Sequence, residues 1–147
     1  MSLVLPLRRL EPQPEPPPLA RTLHLDPPAA LDAWTARVRE ADEACLLVDA
    51  AGRVAAMSDA CSTVLGFAKG ATTGALLLDL VTMVDFTTVG VPVEDPEVQA
   101  PPLRALASGR LTRGLVRLRE GATTRTYDVV GVPLVGGIGA LGFVAPA

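Results

Sequence analysis

Residues 45–67 read CLLVDAAGRVAAMSDACSTVLGF. The apolar run Cys45-Leu46-Leu47-Val48 ends at Asp49, and Asp49-Ala50-Ala51-Gly52 follows it. Gly52 can take the positive φ that closes a hairpin. A second run, Arg53-Val54-Ala55-Ala56-Met57, leads into Ser58. Serine is a favoured helix N-cap, and Asp59 behind it places a negative charge where the helix dipole welcomes one. Cys61, Val64 and Leu65 recur at helical spacing, and Gly66 is a natural stop. The stretch therefore predicts strand, tight turn, strand, short helix.

Downstream, residues 75–84 are apolar nearly all round, with Leu76, Leu77, Leu78, Leu80, Val81 and Val84. They predict a short buried helix, in which Asp79 would be a buried carboxylate satisfied by backbone donors. Residues 85–100 read as a loop broken by Gly90, Pro92 and Pro96. Its acidic trio Glu94, Asp95 and Glu97 lacks the rest of a calcium loop. Pro101-Pro102 then opens a helix carrying Leu103, Leu106 and Ala107, and Gly109 ends it.

Three strands close the chain. Over 111–119, Arg113, Leu115, Arg117 and Arg119 share one face. With Glu120-Gly121 as a two-residue turn, Arg113 falls opposite Asp128 and Leu115 opposite Thr126, while Gly114 comes beside Tyr127 and Thr112 beside Val129. Strands over 125–134 and 138–145 meet at Gly136-Gly137. Both carry apolar residues on both faces: Val130, Val132, Leu141 and Phe143 as well as Val129 and Val144. Such a sheet needs a cover on each side.

Ahead of all this, residues 1–25 read as a flexible proline-rich arm, with Pro12, Pro14, Pro16, Pro17 and Pro18 favouring extended polyproline conformation. His24, the sole histidine, lies in it. Asp26-Pro27-Pro28 is a helix start, with the Asp26 carboxylate as cap. An amphipathic helix is expected within 26–41, with Leu31, Trp34 and Val38 on one stripe.

From residue 42 to 147 the chain resembles a PAS domain, the small sensory module of signalling proteins. The residues that carry the resemblance are Asp49, Gly52, Ser58, Leu65, Gly66 and Phe67, followed by Leu77, Asp79, Leu80 and Val81 in the family's L-x-D-L-V segment. Ser58 stands where the family usually has asparagine; it keeps the cap and loses an amide that could bond further away. The resemblance implies an α+β fold: a five-stranded antiparallel sheet with helices on one face and an N-terminal amphipathic helix. That helix would fold over the outer face or pair with its copy in a homodimer, with Leu31, Trp34, Val38, Val130, Val132 and Leu141 as contacts. Between sheet and helices the resemblance implies a pocket for a small apolar ligand, lined by Met57, Cys61, Leu65, Leu80, Leu106, Tyr127 and Phe143, with the Tyr127 hydroxyl to orient it.

Composition narrows the function. At 147 residues the chain is one domain with a tail. It is 49% hydrophobic but 3% aromatic, so Val, Leu, Ala and Met must fill the core. A net charge of −3 argues against general nucleic-acid binding. Two cysteines make no secreted framework and suit a reducing cytoplasm. Arg8 and Arg9 follow the apolar residues 3–7, the reverse of the secretory order. The nineteen uncharged residues 129–147 approach membrane-spanning length, but Gly131, Gly136, Gly137, Gly139 and Gly142 favour two strands around a turn.

No catalytic pattern is visible. The only histidine is in the arm, so a Ser-His or Cys-His pair is excluded from the domain. Gly136-Gly137-Ile138-Gly139 lies between strands rather than before a helix, unlike a phosphate loop. Haem-binding relatives present a histidine from a pocket helix, and residues 101–108 have none. Flavin photosensors carry Asn-Cys-Arg-Phe; here Cys61 follows Ala60 and precedes Ser62 and Thr63. No metal site is expected either. The expectation is a bacterial-type, non-enzymatic sensory or regulatory domain acting on a separate effector protein. One alternative is a ligand-independent dimerisation or scaffold module. A weaker one is a thiol switch through Cys45 and Cys61, which otherwise read as small buried hydrophobes.

Overall fold

A computed structural model describes residues 26–88 and 90–147. The expected arm over 1–25, with His24, lies outside the described residues. Helix α1, Pro27–Glu40, begins with proline at its first position, where no amide is needed. Asp26 precedes it without a side-chain capping bond, so the expected carboxylate cap is corrected to a proline start alone. Strands β1, Cys45–Asp49, and β2, Val54–Met57, form the hairpin. Gly52 closes its turn at φ 78°, and the Asp49 carboxylate accepts the amides of Ala51 and Arg53 at 2.9 and 3.0 Å. Helix α2, Asp59–Leu65, ends on Gly66 in the left-handed region at φ 80°.

The run over 75–84 does not form one helix. It divides into a single turn, α3, Leu77–Leu80, and a strand, β3, Thr82–Val84. Asp79 is exposed there, which corrects the buried carboxylate expected of it. A second single turn, α4, Pro96–Gln99, interrupts the loop before helix α5, Pro101–Ser108, which ends on left-handed Gly109. Strands β4, Thr112–Glu120, β5, Thr123–Pro133, and β6, Gly139–Pro146, follow, with a 3₁₀ turn at Val135–Gly137. The uncharged C-terminal stretch is thus strand, turn and strand. No described helix is long and apolar enough to cross a membrane.

The described strands make one curled antiparallel sheet of six, in the order β2-β1-β6-β5-β4-β3. The expected count of five is corrected by β3, which pairs with β4. The β4–β5 register also differs from expectation. Glu120 faces Thr123, so the turn residues are Gly121-Ala122, and Arg113 faces Val130 while Leu115 faces Asp128. Gly114 faces Val129, and Thr112 faces Gly131. Gly121, at φ 59°, takes the first central position of the turn, where hairpin twist demands positive φ. The two-residue shift preserves the face of every side chain. Arg113 therefore still reaches Asp128, now diagonally, with Nη2–Oδ2 at 2.6 Å and Nε–Oδ1 at 3.1 Å.

Two apolar clusters lie on opposite faces of the sheet. Leu46, Val48, Val116, Leu118, Tyr127, Val129, Ala140 and Val144 face α2, α3 and α5. Cys45, Leu47, Leu141 and Phe143 face the other way, toward Leu31, Trp34 and Val38 of α1. Alternation along β1 and β6 sets this division.

Candidate functional site

The space between the sheet and α3–α5 is the site that the fold offers for a ligand. Its walls come from Leu46, Leu65, Leu77, Val81, Met83, Ala100, Pro101, Pro102, Val116, Leu118, Tyr127, Val129 and Val144. The cavity they leave is about 50 Å³. That is a third of the roughly 150 Å³ that accommodates one benzene, and far below the roughly 300 Å³ at which small-molecule pockets begin.

Glycine explains how the chamber becomes so small. Pro101 and Pro102, at the start of α5, rest on β5 and β6 over Gly131 and Gly142. A Cβ on Gly131 would overlap the Pro101 carbonyl oxygen, and one on Gly142 would sit 2.8 Å from Pro102 Cγ. The Thr112 hydroxyl donates to the Pro101 carbonyl at 2.6 Å and fixes the helix at that height. Without side chains at those two positions the helix descends onto the sheet, and its prolines occupy volume that a ligand would need.

Of the residues expected to line the pocket, Leu65 and Tyr127 do so. Met57, Cys61, Leu80 and Leu106 belong to the same apolar cluster but pack around the cavity rather than onto it. Phe143 is corrected to the opposite face, against the α1 cluster, because it alternates with the inward Val144. Parity from Tyr127 points to Val129, and parity along β4 points to Val116 and Leu118. The α5 prolines left no comparable signal, since their role depends on glycines in two other strands.

The polar groups here are engaged elsewhere. The Tyr127 hydroxyl donates toward the Glu120 carboxylate and lies 3.3 Å from the Val64 carbonyl. Burial, reinforced by Glu120, pushes the Tyr127 phenol up to about 12. The hydroxyl thus ties β5 to the end of β4 through Glu120 and lies against the Val64 carbonyl of α2. Ser58, fully buried, accepts the Cys61 amide at 3.2 Å and the Cys45 amide at 3.0 Å, and donates to the Glu43 carbonyl at 2.7 Å. The missing asparagine amide is thereby compensated: one hydroxyl caps α2 and ties it to the start of β1.

Both cysteines are free and buried. Cys45 belongs to the α1-side cluster and Cys61 to the chamber-side cluster. Burial pushes both thiols up, Cys61 to about 12. Such groups behave as small hydrophobes rather than thiolates.

The expected outer-face contacts divide in two. Val38 and Leu141 are buried, with Leu31, Trp34 and Val132 partly so, all in the intrachain packing of α1 on the sheet. Val130 is half-buried and outside that cluster.

The chamber does not fit the flavin or haem weighed in the sequence analysis. Neither a flavin nor a haem matches a volume of about 50 Å³, and no histidine occurs in residues 26–147.

No family model matches the chain. No curated protein matches it either. Solved structures do. The PAS domain of a protein from Colwellia psychrerythraea is similar at 16% identity and TM-score 0.55, over 80% of this chain and 96% of that one. The PAS domain of nitrogen regulation protein NR(II) from Vibrio parahaemolyticus is similar at 13% identity and TM-score 0.53, over 77% and 96%. An RNA-binding Light-Oxygen-Voltage receptor is similar at 19% identity and TM-score 0.56, over 92% of this chain and 37% of that longer one. Strand order, helix placement and these likenesses together give the chain the PAS fold.

Proposed function

We propose that this chain is a sensory or regulatory module that passes its state to a separate effector protein through surface contact. In this reading it has no enzymatic activity and no resident organic cofactor. The observation that carries it is a PAS fold whose chamber has been reduced to about 50 Å³ of apolar space. A site of that size takes a molecule of a few apolar heavy atoms at most. Its polar neighbours, Ser58 and Tyr127, are committed to structural hydrogen bonds. Native mass spectrometry of freshly purified full chain, with its absorbance spectrum, tests the reading. The expected result is the polypeptide mass with no visible chromophore; a stoichiometric adduct of cofactor size refutes it.

A ligand-independent dimerisation or scaffold role is a second reading, and one observation favours it. Helix α1 covers β1 and β2 and packs beside β6, while Leu115 on the β4 side of that face is 57% exposed. Sedimentation across a concentration series separates the readings. A dimer that Val130→Glu dissociates supports the scaffold role, and a monomer throughout removes it.

A further inference from the structure

One edge of the sheet is half covered. Thr82, Met83 and Val84 of β3 face Arg119, Leu118 and Arg117 of β4. Residues 112–116 of β4 have no strand partner on that side among the described residues. The pairing decides which backbone groups point there. Glu120 and Thr123 flank a two-residue turn, so they exchange hydrogen bonds with each other, and every second residue back along β4 does the same with β5. Leu118, Val116, Gly114 and Thr112 therefore turn their backbone groups toward β5. Arg119 and Arg117 turn theirs toward β3, and Leu115 and Arg113 turn theirs outward. The far side of β3 obeys the same alternation: the Met83 carbonyl accepts the Val93 amide at 3.0 Å, and Asp85 donates its amide to the Val91 carbonyl at 2.7 Å. Beyond Val84 the chain thus leaves the lane beside β4, and a groove of about 500 Å³ opens there.

The groove has two unlike walls. Leu115 and Arg117 share the outer face of β4, and the Arg117 guanidinium stacks 4.7 Å from the Phe86 ring centre. Leu115 is 57% exposed and Phe86 45%. Asp85, Glu94 and Asp95 line the other side. Asp85 has the parity of Met83, and Glu94 and Asp95 follow Val93; Met83 and Val93 both belong to the chamber-side cluster. Thr87 donates its amide and hydroxyl to the Asp85 carboxylate, which holds that group in its charged form. Arg117 is the one cation among the described residues that line the groove. Of the neighbouring arginines, Arg113 is bound to Asp128 and Arg119 donates to the Gly90 carbonyl. The groove is therefore apolar on its outer side and negative on its inner side.

We propose that the edge of β4 at residues 112–116 takes an extended segment of a partner protein in which basic and apolar side chains alternate. An open strand edge is a template for an added strand, and the outward backbone groups of Arg113 and Leu115 supply its hydrogen bonds. Five residues of strand span about 17 Å, enough for bonds at both positions. Successive side chains of the added strand point to opposite faces. Its apolar set covers Leu115 and Phe86, while its basic set meets Asp85, Glu94 and Asp95. The surplus of carboxylates selects a basic segment over an acidic one and fixes its register. The inference goes beyond the signalling reading. It rests on the edge alone, and a chain that held a cofactor would present the same edge.

The test is residue-resolved amide exchange by NMR on the natural full chain, with the blocked peptide Arg-Val-Lys-Val-Arg-Val-Lys as probe. The amides of Arg113 and Leu115 should exchange fast in the free chain and about tenfold more slowly with the peptide in excess. Those of Gly114 and Val116, bonded to β5, should change little. A peptide with glutamate at every basic position should leave Arg113 and Leu115 fast. Glu94→Arg with Asp95→Arg should weaken binding of the basic peptide about tenfold, with circular dichroism identical to the natural chain. Added salt should weaken it in the natural chain without any substitution. Exchange at Arg113 and Leu115 that the basic peptide does not slow overturns the proposal. So does equal slowing by the acidic peptide, or binding that salt or the double substitution leaves unchanged. Protection already present in the free chain overturns it too. If that protection grows with protein concentration, a second copy is the occupant; if it does not, the edge is covered within the chain.

Discussion

Substituting Gly131 by alanine tests the seating of α5 directly. The added Cβ would overlap the Pro101 carbonyl oxygen, lie 2.5 Å from the Pro101 carbonyl carbon and 2.7 Å from Thr112 Oγ1. Two of those atoms are backbone, so no rotamer change relieves the overlap. The helix must lift or the strand must bend. Overpacking of this kind costs about 1–3 kcal/mol. Losing the 2.6 Å bond from Thr112 to the Pro101 carbonyl adds about 1 kcal/mol. The sum, about 2–4 kcal/mol, is a large share of the 5–15 kcal/mol typical of a domain, and corresponds to a melting-point drop of roughly 5–15 °C. Gly114 supplies the control. Alanine there would place its Cβ 3.8 Å from Pro101 Cγ, an ordinary contact, and should change stability by less than about 0.5 kcal/mol. Urea unfolding followed by circular dichroism and Trp34 fluorescence measures both. If Gly131→Ala is as stable as Gly114→Ala, helix α5 does not rest on β5, and the account of the small chamber fails with it.

Other consequences concern the buried polar groups and the charged rim. Ser58→Ala deletes three hydrogen bonds at once and strands the Cys45 amide, so denaturant unfolding should show a loss of about 2–3 kcal/mol; a loss under about 0.5 kcal/mol would mean water or a shifted backbone replaces the hydroxyl. With the Cys61 thiol pushed up to about 12, only about one molecule in ten thousand carries that thiolate at pH 8. A disulfide reagent should therefore label Cys61 only after unfolding, and rapid labelling of native protein would revive the thiol-switch idea. Arg113 holds the Asp128 carboxyl below the ordinary carboxylate range. Its contribution to stability is thus present above about pH 4 and is lost as pH falls through the lowered value. A carboxyl titration by NMR should place Asp128 below an average aspartate, and a midpoint at or above that average would disprove the ion pair. The Tyr127 phenol, raised to about 12, stabilises the folded form below about pH 10, and that contribution is lost as pH rises toward the folded value. Ultraviolet titration giving a midpoint near 10 in folded protein would contradict its engagement with Glu120.

Much of the fold was legible because short-range chemistry and tertiary structure agree. Gly52, Ser58 and Gly66 occupy the turn, cap and stop that their residue types suggest. Alternation assigned the faces of β4 and β5 even with the register two residues off, since a shift of two leaves the pleat unchanged. The register itself depended on which side of the turn Gly121 takes, and only its positive φ requirement decides that. The run from Leu76 to Val84 reads as one helix in sequence because an apolar stretch without periodicity suits helix and strand equally. Thr82 and Val84 are β-branched, and pairing with β4 outweighed helix propensity there. The chamber was the least legible part. Its size is set by Pro101 and Pro102 meeting Gly131 and Gly142, residues thirty and forty positions apart. The sequence pattern around those glycines suggested only a turn.

The account stands most directly on the closed chamber, and benzene measures it. Methyl resonances of Leu46, Met83, Val129 and Val144 report on the cavity wall from several elements. Titrating the natural full chain with benzene should move none of them saturably, because about 50 Å³ does not admit the ring. Saturable shifts confined to those methyls would show a chamber already open to organic ligands, and would contradict the claim that α5 has filled it.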